Sequence, residues 1–163
     1  MSCKNTEEKM TKMTDEYARA KNSVLRLLKI RQRSEQELRT KLKLQKISEA
    51  VIDQVIQYFK KLRFIDDRQF ARSWIRGRLT RPFGLDRIRF ELKTKGIAND
   101  IIKEQITSAK ENYNEYETVM ELARRRFSRY KGIEPLKAKQ RTFGYLSRRG
   151  FSIEAIQSAI RKL

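Results

Sequence analysis

The sequence predicts an all-α chain of three tandem three-helix repeats, helix-turn-helix-like units that would stack into an elongated, curved molecule. Three observations point there. Only two prolines, Pro82 and Pro135, interrupt 163 residues rich in Lys, Arg, Glu, Gln, Leu and Ile. Apolar residues recur at helical rather than alternating spacing. Three segments also align with one another: ELRTKLKLQKISEAVIDQVI (37–56), RFELKTKGIANDIIKEQI (89–106) and FGYLSRRGFSIEAIQSAI (143–160). Their apolar positions form columns, Leu42/Leu92/Leu146, Ile47/Ile97/Phe151, Ile52/Ile102/Ile156 and Ile56/Ile106/Ile160, at offsets of 50 and then 54 residues.

The elements follow in order. Residues 1–13 have little apolar content and are expected to form a disordered leader. The first repeat, 14–65, opens with a helix over about 14–31, and Ser34 with Glu37 then has the form of a capping box at the start of the second helix. That helix ends at Lys46 and the third starts at an N-cap, Ser48, with Ile47 and Ile52 at the hydrophobic-staple positions. The second repeat, 66–112, repeats the plan: a first helix over about 66–80, then Gly96 at the left-handed C′ position, Ala98 as N-cap and the staple Ile97/Ile102. The third, 113–163, has a first helix over about 114–130, Gly150 at C′, Ser152 as N-cap and the staple Phe151/Ile156.

Asp66-Asp67 could suggest a carboxylate dyad or magnesium ligands. However, adjacent residues at a helix start point in different directions, and no third carboxylate lies at a ligand spacing. Asp66 with Gln69 instead has capping-box form, with Ile65 and Phe70 as the staple, so the pair reads as helix punctuation.

Thirty-nine basic against 20 acidic residues give a net charge of +19, which implies a polyanionic partner. The excess is spread along the chain: 16 basic and 8 acidic residues in 1–65, 11 and 7 in 66–111, 12 and 5 in 112–163. Nucleic acid is the first candidate. Histidine is absent and the one cysteine is Cys3, which removes Cys/His zinc sites, Ser-His and Cys-His nucleophiles and any disulfide framework. No phosphate-cradling glycine motif occurs. The expectation is a cytoplasmic protein with no Cys/His metal site, no nucleotide hydrolysis and no membrane segment.

On the helix after Asp66 the apolar stripe Phe70, Ala71, Trp74 and Ile75 leaves Arg68, Arg72 and Arg76 in a row at intervals of four. The ridge continues into Arg78, Arg81, Arg87 and Arg89, and arginine favours bidentate contact with phosphate or carboxylate. The last third adds Arg124-Arg125-Arg126 and, among others, Arg148 and Arg149. Trp74, Phe83, Phe127 and Tyr145 are the aromatics that could stack bases.

The stretches SEQELRTKL (34–42), FIDDRQFARSW (64–74) and GLDRIRFELKTKGI (84–97) resemble the signature blocks of the RecX family of bacterial recombination regulators, over roughly residues 16–163. Phe64-Ile65 stands where an aromatic-leucine pair is common, and the leader has no counterpart. The resemblance implies a non-enzymatic protein, with no catalytic residues or cofactor, that binds the groove of the RecA–DNA filament; single-stranded DNA, double-stranded DNA as a further partner and a monomeric state are the accompanying expectations. It would dampen ATPase, strand exchange and co-protease activity in DNA repair, recombination and the SOS response. Carried over by position, Arg68, Arg72, Arg76, Arg81 and Arg87 are the candidates for contact, with Arg124, Arg125, Arg148 and Arg149 added from the charge pattern. The alternatives are a helix-turn-helix reader of duplex DNA and a purely electrostatic nucleic-acid binder.

Overall fold

The computed structural model describes residues 3–163, with side chains from Lys12 onward. Among the described residues it is all helical: α1 (Cys3–Ile30), α2 (Glu35–Leu44), α3 (Glu49–Lys61), α4 (Asp67–Leu79), α5 (Leu85–Thr94), α6 (Asn99–Lys110), α7 (Glu115–Phe127), α8 (Pro135–Arg148) and α9 (Ile153–Arg161), with a 3-10 turn at Ser128–Tyr130. None of these helices is long and apolar enough to cross a membrane.

The expected punctuation is present. Ser34 accepts the Glu37 N–H at 3.1 Å while the Glu37 carboxylate accepts the Ser34 N–H at 3.3 Å, a complete capping box at α2. Ser48, Ala98 and Ser152 are the N-caps of α3, α6 and α9. Lys46, Gly96 and Gly150, equivalent in the three repeats, all have left-handed φ, +59°, +76° and +75°. Of the twelve columnar apolar residues, eleven are buried and Ile160 is half-buried. The backbone is helical from Cys3, so α1 begins within the stretch 1–13 expected to be a leader, and residues 1 and 2 lie outside the described residues. Lys, Glu, Met and Thr in that stretch sustain a helix that has no apolar face of its own to announce it.

The chain divides into two compact units, residues 1–70 with 95–97, and residues 71–94 with 98–163. The first is built on Val24, Leu38, Leu42, Ile52, Ile56 and Phe59, all fully or almost fully buried. In the second, Val119, Leu146, Phe151 and Ile156 join α7, α8 and α9, and Ile75, Leu85, Ile88, Leu92 and Ile106 are buried on α4, α5 and α6.

One joint is built in each unit. In the first, the turn after α5 meets the start of α2: Ser34, wholly buried, donates its hydroxyl to the Lys95 carbonyl at 2.7 Å, and Lys95 Nζ reaches Glu37 at 2.8 Å. In the second, the turn after α8 meets the start of α5: the Gly84 and Asp86 N–H groups donate to the Arg149 and Gly150 carbonyls at 2.9 and 3.2 Å. A Cβ on Gly84 would lie 1.9 Å from the Gly150 oxygen. Where the first joint uses a serine hydroxyl as donor, the second uses a glycine whose missing side chain lets the backbone N–H itself make the bond.

Candidate nucleic-acid interface

Asp66 and Asp67 each hold a helix end. Asp66 Oδ1 accepts the Gln69 N–H at 3.0 Å, capping α4, and Asp67 Oδ1 accepts the Glu35 N–H at 2.9 Å, capping α2. Burial pushes the Asp67 carboxyl above its ordinary value, against the hydrogen bond from Glu35, with the neighbouring Glu35 and Asp66 charges adding to the rise and Lys60 opposing it.

The basic residues fall into two kinds, those held by carboxylates or carbonyls and those that are not. In the first unit Arg39 pairs with Glu35 at 2.8 Å and Asp53 at 2.6 Å, Lys60 with Glu35 at 2.8 Å, Lys43 with Glu49 at 3.1 Å, and Arg31 with Glu37 at 2.9 Å. Those charges are largely neutralised locally. On α4 the pattern differs. Arg72 and Arg76 are exposed; Arg72 Nε donates to the Gln105 amide oxygen at 3.4 Å, and the Arg76 side chain has no hydrogen bond or ion pair among the described residues. Arg68 is exposed near the start of the same helix, and Arg81, also exposed, follows its end.

Several other sequence candidates are tied into the fold. Glu91, its side chain 14% exposed, accepts from Trp74 Nε1 at 2.9 Å, Arg78 Nε at 2.7 Å and Arg87 Nε at 3.3 Å. Arg78, Arg87 and Arg149 all lie over the Phe83 ring, 5.5–5.6 Å from its centroid. Arg149 also donates Nη1 to the Pro82 carbonyl at 2.8 Å and lies over Tyr145 at 4.8 Å, with Arg126 over the same Tyr145 ring at 4.8 Å and over Tyr130 at 5.3 Å. This run of alternating guanidinium and aromatic planes, from Trp74 to Tyr130, makes Arg149 a clamp on the loop before α5 and uses the faces of Phe83 and Tyr145 that were candidates for stacking bases. Arg124 and Arg148 are exposed with no partner among the described residues, and exposed Arg125 pairs with Glu121 at 3.2 Å. Arg124 and Arg125 edge a groove on α7, with Tyr116, Met120 and Lys162, to which no α4 residue contributes.

The arginine-bearing face of α4 borders a groove of about 510 Å³ whose other wall is α6 and the turn after it. Gln105, Ser108, Asn112 and Tyr113 contribute polar groups there. They were missed from sequence, although Gln105, Ser108 and Asn112 recur at intervals of three and four beside the apolar Ile102 and Ile106. The N-terminal turns of α6 and α9 bury Ile102 and Ile156 and present no arginine, unlike a helix that reads base edges.

Comparison with known proteins gives one result throughout. Models of the first, second and third three-helix domains of RecX match residues 20–59, 66–104 and 113–160. A regulatory protein RecX of Prosthecochloris aestuarii is 33% identical over 153 residues, 93% of this chain and 98% of that one. One of Clostridium beijerinckii is 30% identical over 152 residues, 92% of this chain and 70% of that one. The crystal structure of RecX from Lactobacillus salivarius superposes with a TM-score of 0.80 at 25% identity, covering 92% of this chain and 97% of that one.

Proposed function

Because the chain belongs to the RecX family of regulatory proteins, we propose that it regulates a RecA recombinase in the cytoplasm as an inhibitor, binding the recombinase–DNA filament through the α4 face of its second repeat. The observation that carries this reading is the contrast in charge pairing. The cations named above in the first unit are matched by carboxylates, whereas Arg72, Arg76 and Arg81 have none, so the helix presents a row of exposed guanidinium groups to a partner. A polyanionic filament attracts such a face over about a Debye length and fixes it by multiple arginine contacts. Occupying the filament in this way would slow its ATPase, strand exchange and co-protease activity together. Arg68 and Arg87, and the α7–α8 arginines Arg124, Arg125 and Arg148, are secondary contacts in this scheme. The protein acts as a monomer, and DNA within the filament is part of the surface it binds.

The test is the single-strand-dependent ATPase of a RecA recombinase titrated at physiological salt, beside a measurement of binding to bare DNA. Inhibition well below one regulator per recombinase subunit is expected, at concentrations where bare DNA is unbound. Arg72→Glu with Arg76→Glu should raise the half-inhibiting concentration about tenfold or more and leave the protein folded, since both side chains are exposed and the one side-chain bond lost is the 3.4 Å contact of Arg72 with Gln105. Undiminished inhibition by that folded double variant would overturn the assignment to α4. Inhibition that begins only when the DNA is coated, with a steep salt slope, would reduce the activity to electrostatics.

A further inference from the structure

The α4–α6 groove is ordered by chemistry from floor to rim. Ile75 is buried and Leu79 and Ala109 half-buried at its floor, while Arg72, Arg76, Ser108 and Asn112 are exposed at its edge. Gln105 is 6% exposed; its Oε1 accepts from Arg72 Nε at 3.4 Å and its Nε2 donates to Glu104 at 3.1 Å, so it holds the Arg72 side chain at the groove wall. Tyr113 adds an aromatic ring, and burial pushes its phenol above the ordinary value, so it stays neutral at physiological pH. The volume, about 510 Å³, lies in the range of small-ligand sites.

These groups select a ligand class. No carboxylate lines the groove, so it offers nothing to a cation. An amphipathic helix needs anchors along several turns, and the apolar floor of Ile75, Leu79 and Ala109 is too short for that. A bare anion would leave the floor and the ring unused. A flat ring system with apolar faces, a hydrogen-bonding edge and an attached negative charge uses all of it: floor and Tyr113 for the faces, amide and hydroxyl groups for the edge, guanidinium groups for the charge. We infer that the α4–α6 groove is a nucleobase site, taking one base of a single-stranded nucleic acid with the adjoining phosphate on Arg72 and Arg76. This deepens the reading of α4 as the polyanion-facing helix and rests on it; a free nucleotide shares the chemistry.

The experiment leaves out the recombinase, so its failure is separable from a failure of filament regulation. Fluorescence anisotropy compares a labelled thymidine oligomer of about 15 nucleotides with an abasic deoxyribose-phosphate polymer of equal length and charge, at one ionic strength. The thymidine oligomer should bind about tenfold or more tightly, the scale of one stacked base, with the same salt slope as the abasic polymer. Ser108→Trp, which fills the groove from an exposed position on α6, should abolish the difference while leaving abasic affinity unchanged, and Asn112→Leu should reduce it. Equal affinity for the two polymers in the unaltered protein would overturn the inference, as would a difference that survives Ser108→Trp in a folded variant. Displacement of the base-dependent component by millimolar thymidine monophosphate would assign the site to free nucleotides. Its persistence under that competition would assign it to a base within a strand.

Discussion

Glu37 sits where the first unit closes on itself, and the consequence of discharging it can be worked from its contacts. Its carboxylate accepts two N–H bonds from Arg31 at 3.0 and 2.9 Å, one from Lys95 Nζ at 2.8 Å and the Ser34 N–H at 3.3 Å, with the side chain 18% exposed. Burial alone would raise its pKa, but the hydrogen bonds and charges of Arg31 and Lys95 outweigh it and bring the carboxyl from 4.5 to about 2. A shift of that size corresponds to about 3 kcal/mol. Arg31 is 41% exposed, and screening by water brings the expected contribution down to about 1–2 kcal/mol. Glu37→Gln removes the charge and retains a side chain able to return the capping bond to Ser34, so the loss isolates the ion-pair part. The folded pKa lies below the unfolded one, so this stability is complete above about pH 4.5 and is lost as the pH falls toward 2. Urea unfolding followed by far-UV circular dichroism, at constant ionic strength from pH 7 to pH 3, should show the variant about 1–2 kcal/mol less stable at pH 7. At pH 3 the gap should be less than roughly half as large. A gap below about 0.3 kcal/mol at pH 7, or one that stays constant with pH, would refute the reasoning.

Glu91→Ala should cost about 2–3 kcal/mol by leaving Trp74 Nε1 and Arg78 without an acceptor, and because Trp74 is the chain's single tryptophan its emission should shift to the red; an unchanged melt and spectrum would contradict this. Gly77→Ala should stabilise α4 by about 0.5–1 kcal/mol, since an added Cβ meets nothing within 4 Å, and a fall in melting temperature would count against it. Lys46→Gly should gain about 0.5–1 kcal/mol by relieving a left-handed non-glycine residue. Gly150→Ala should lose about 2 kcal/mol or more, because its Cβ would also lie 2.5 Å from the Arg87 backbone nitrogen; thermal unfolding of the two variants side by side measures both signs.

What the sequence discloses here is what local chemistry determines. The columns of Leu42, Leu92 and Leu146, the capping box at Ser34 and the N-caps Ser48, Ala98 and Ser152 each depend on residues within about one turn, and all are found in place. The start of α1 at Cys3 was not legible, because helix propensity without an apolar face leaves no periodic trace. Long-range partners were equally hidden. That Asp67 caps α2 through the Glu35 N–H, 32 residues away, or that Arg149 grips the Pro82 carbonyl rather than facing outward, depends on which turn the chain brings alongside. The arginine row on α4 could be read from its spacing. Which arginines lack a carboxylate could not, because Glu35 and Glu91 each collect cations from two places in the sequence. The α6 side of the groove escaped for a related reason: Gln105, Ser108 and Asn112 are individually unremarkable on a helix.

The three equivalent turns separate two demands that usually coincide on glycine. Lys46 adopts φ +59°, so the turn itself tolerates a side chain at modest cost. Gly96 and Gly150 adopt nearly the same φ, yet a Cβ on the first would lie 2.3 Å from Gln36 Cβ and on the second 2.5 Å from the Arg87 nitrogen. Glycine at those two positions therefore answers to the joint, where the turn of one repeat closes on the second helix of the repeat before it. Lys46, at the equivalent turn of the first repeat, keeps its side chain exposed. The donor side follows the same logic, with Ser34 and Gly84 equivalent in sequence and each supplying one hydrogen to a carbonyl just before the glycine. The helix that would offer a third such surface, α8, instead begins a turn early at Pro135, has no side-chain cap at Glu134 and buries Ala138 in the register that Ser34 and Gly84 define. A head-to-tail copy of the joint would thus meet a lysine Cβ on one side and an extra helical turn on the other.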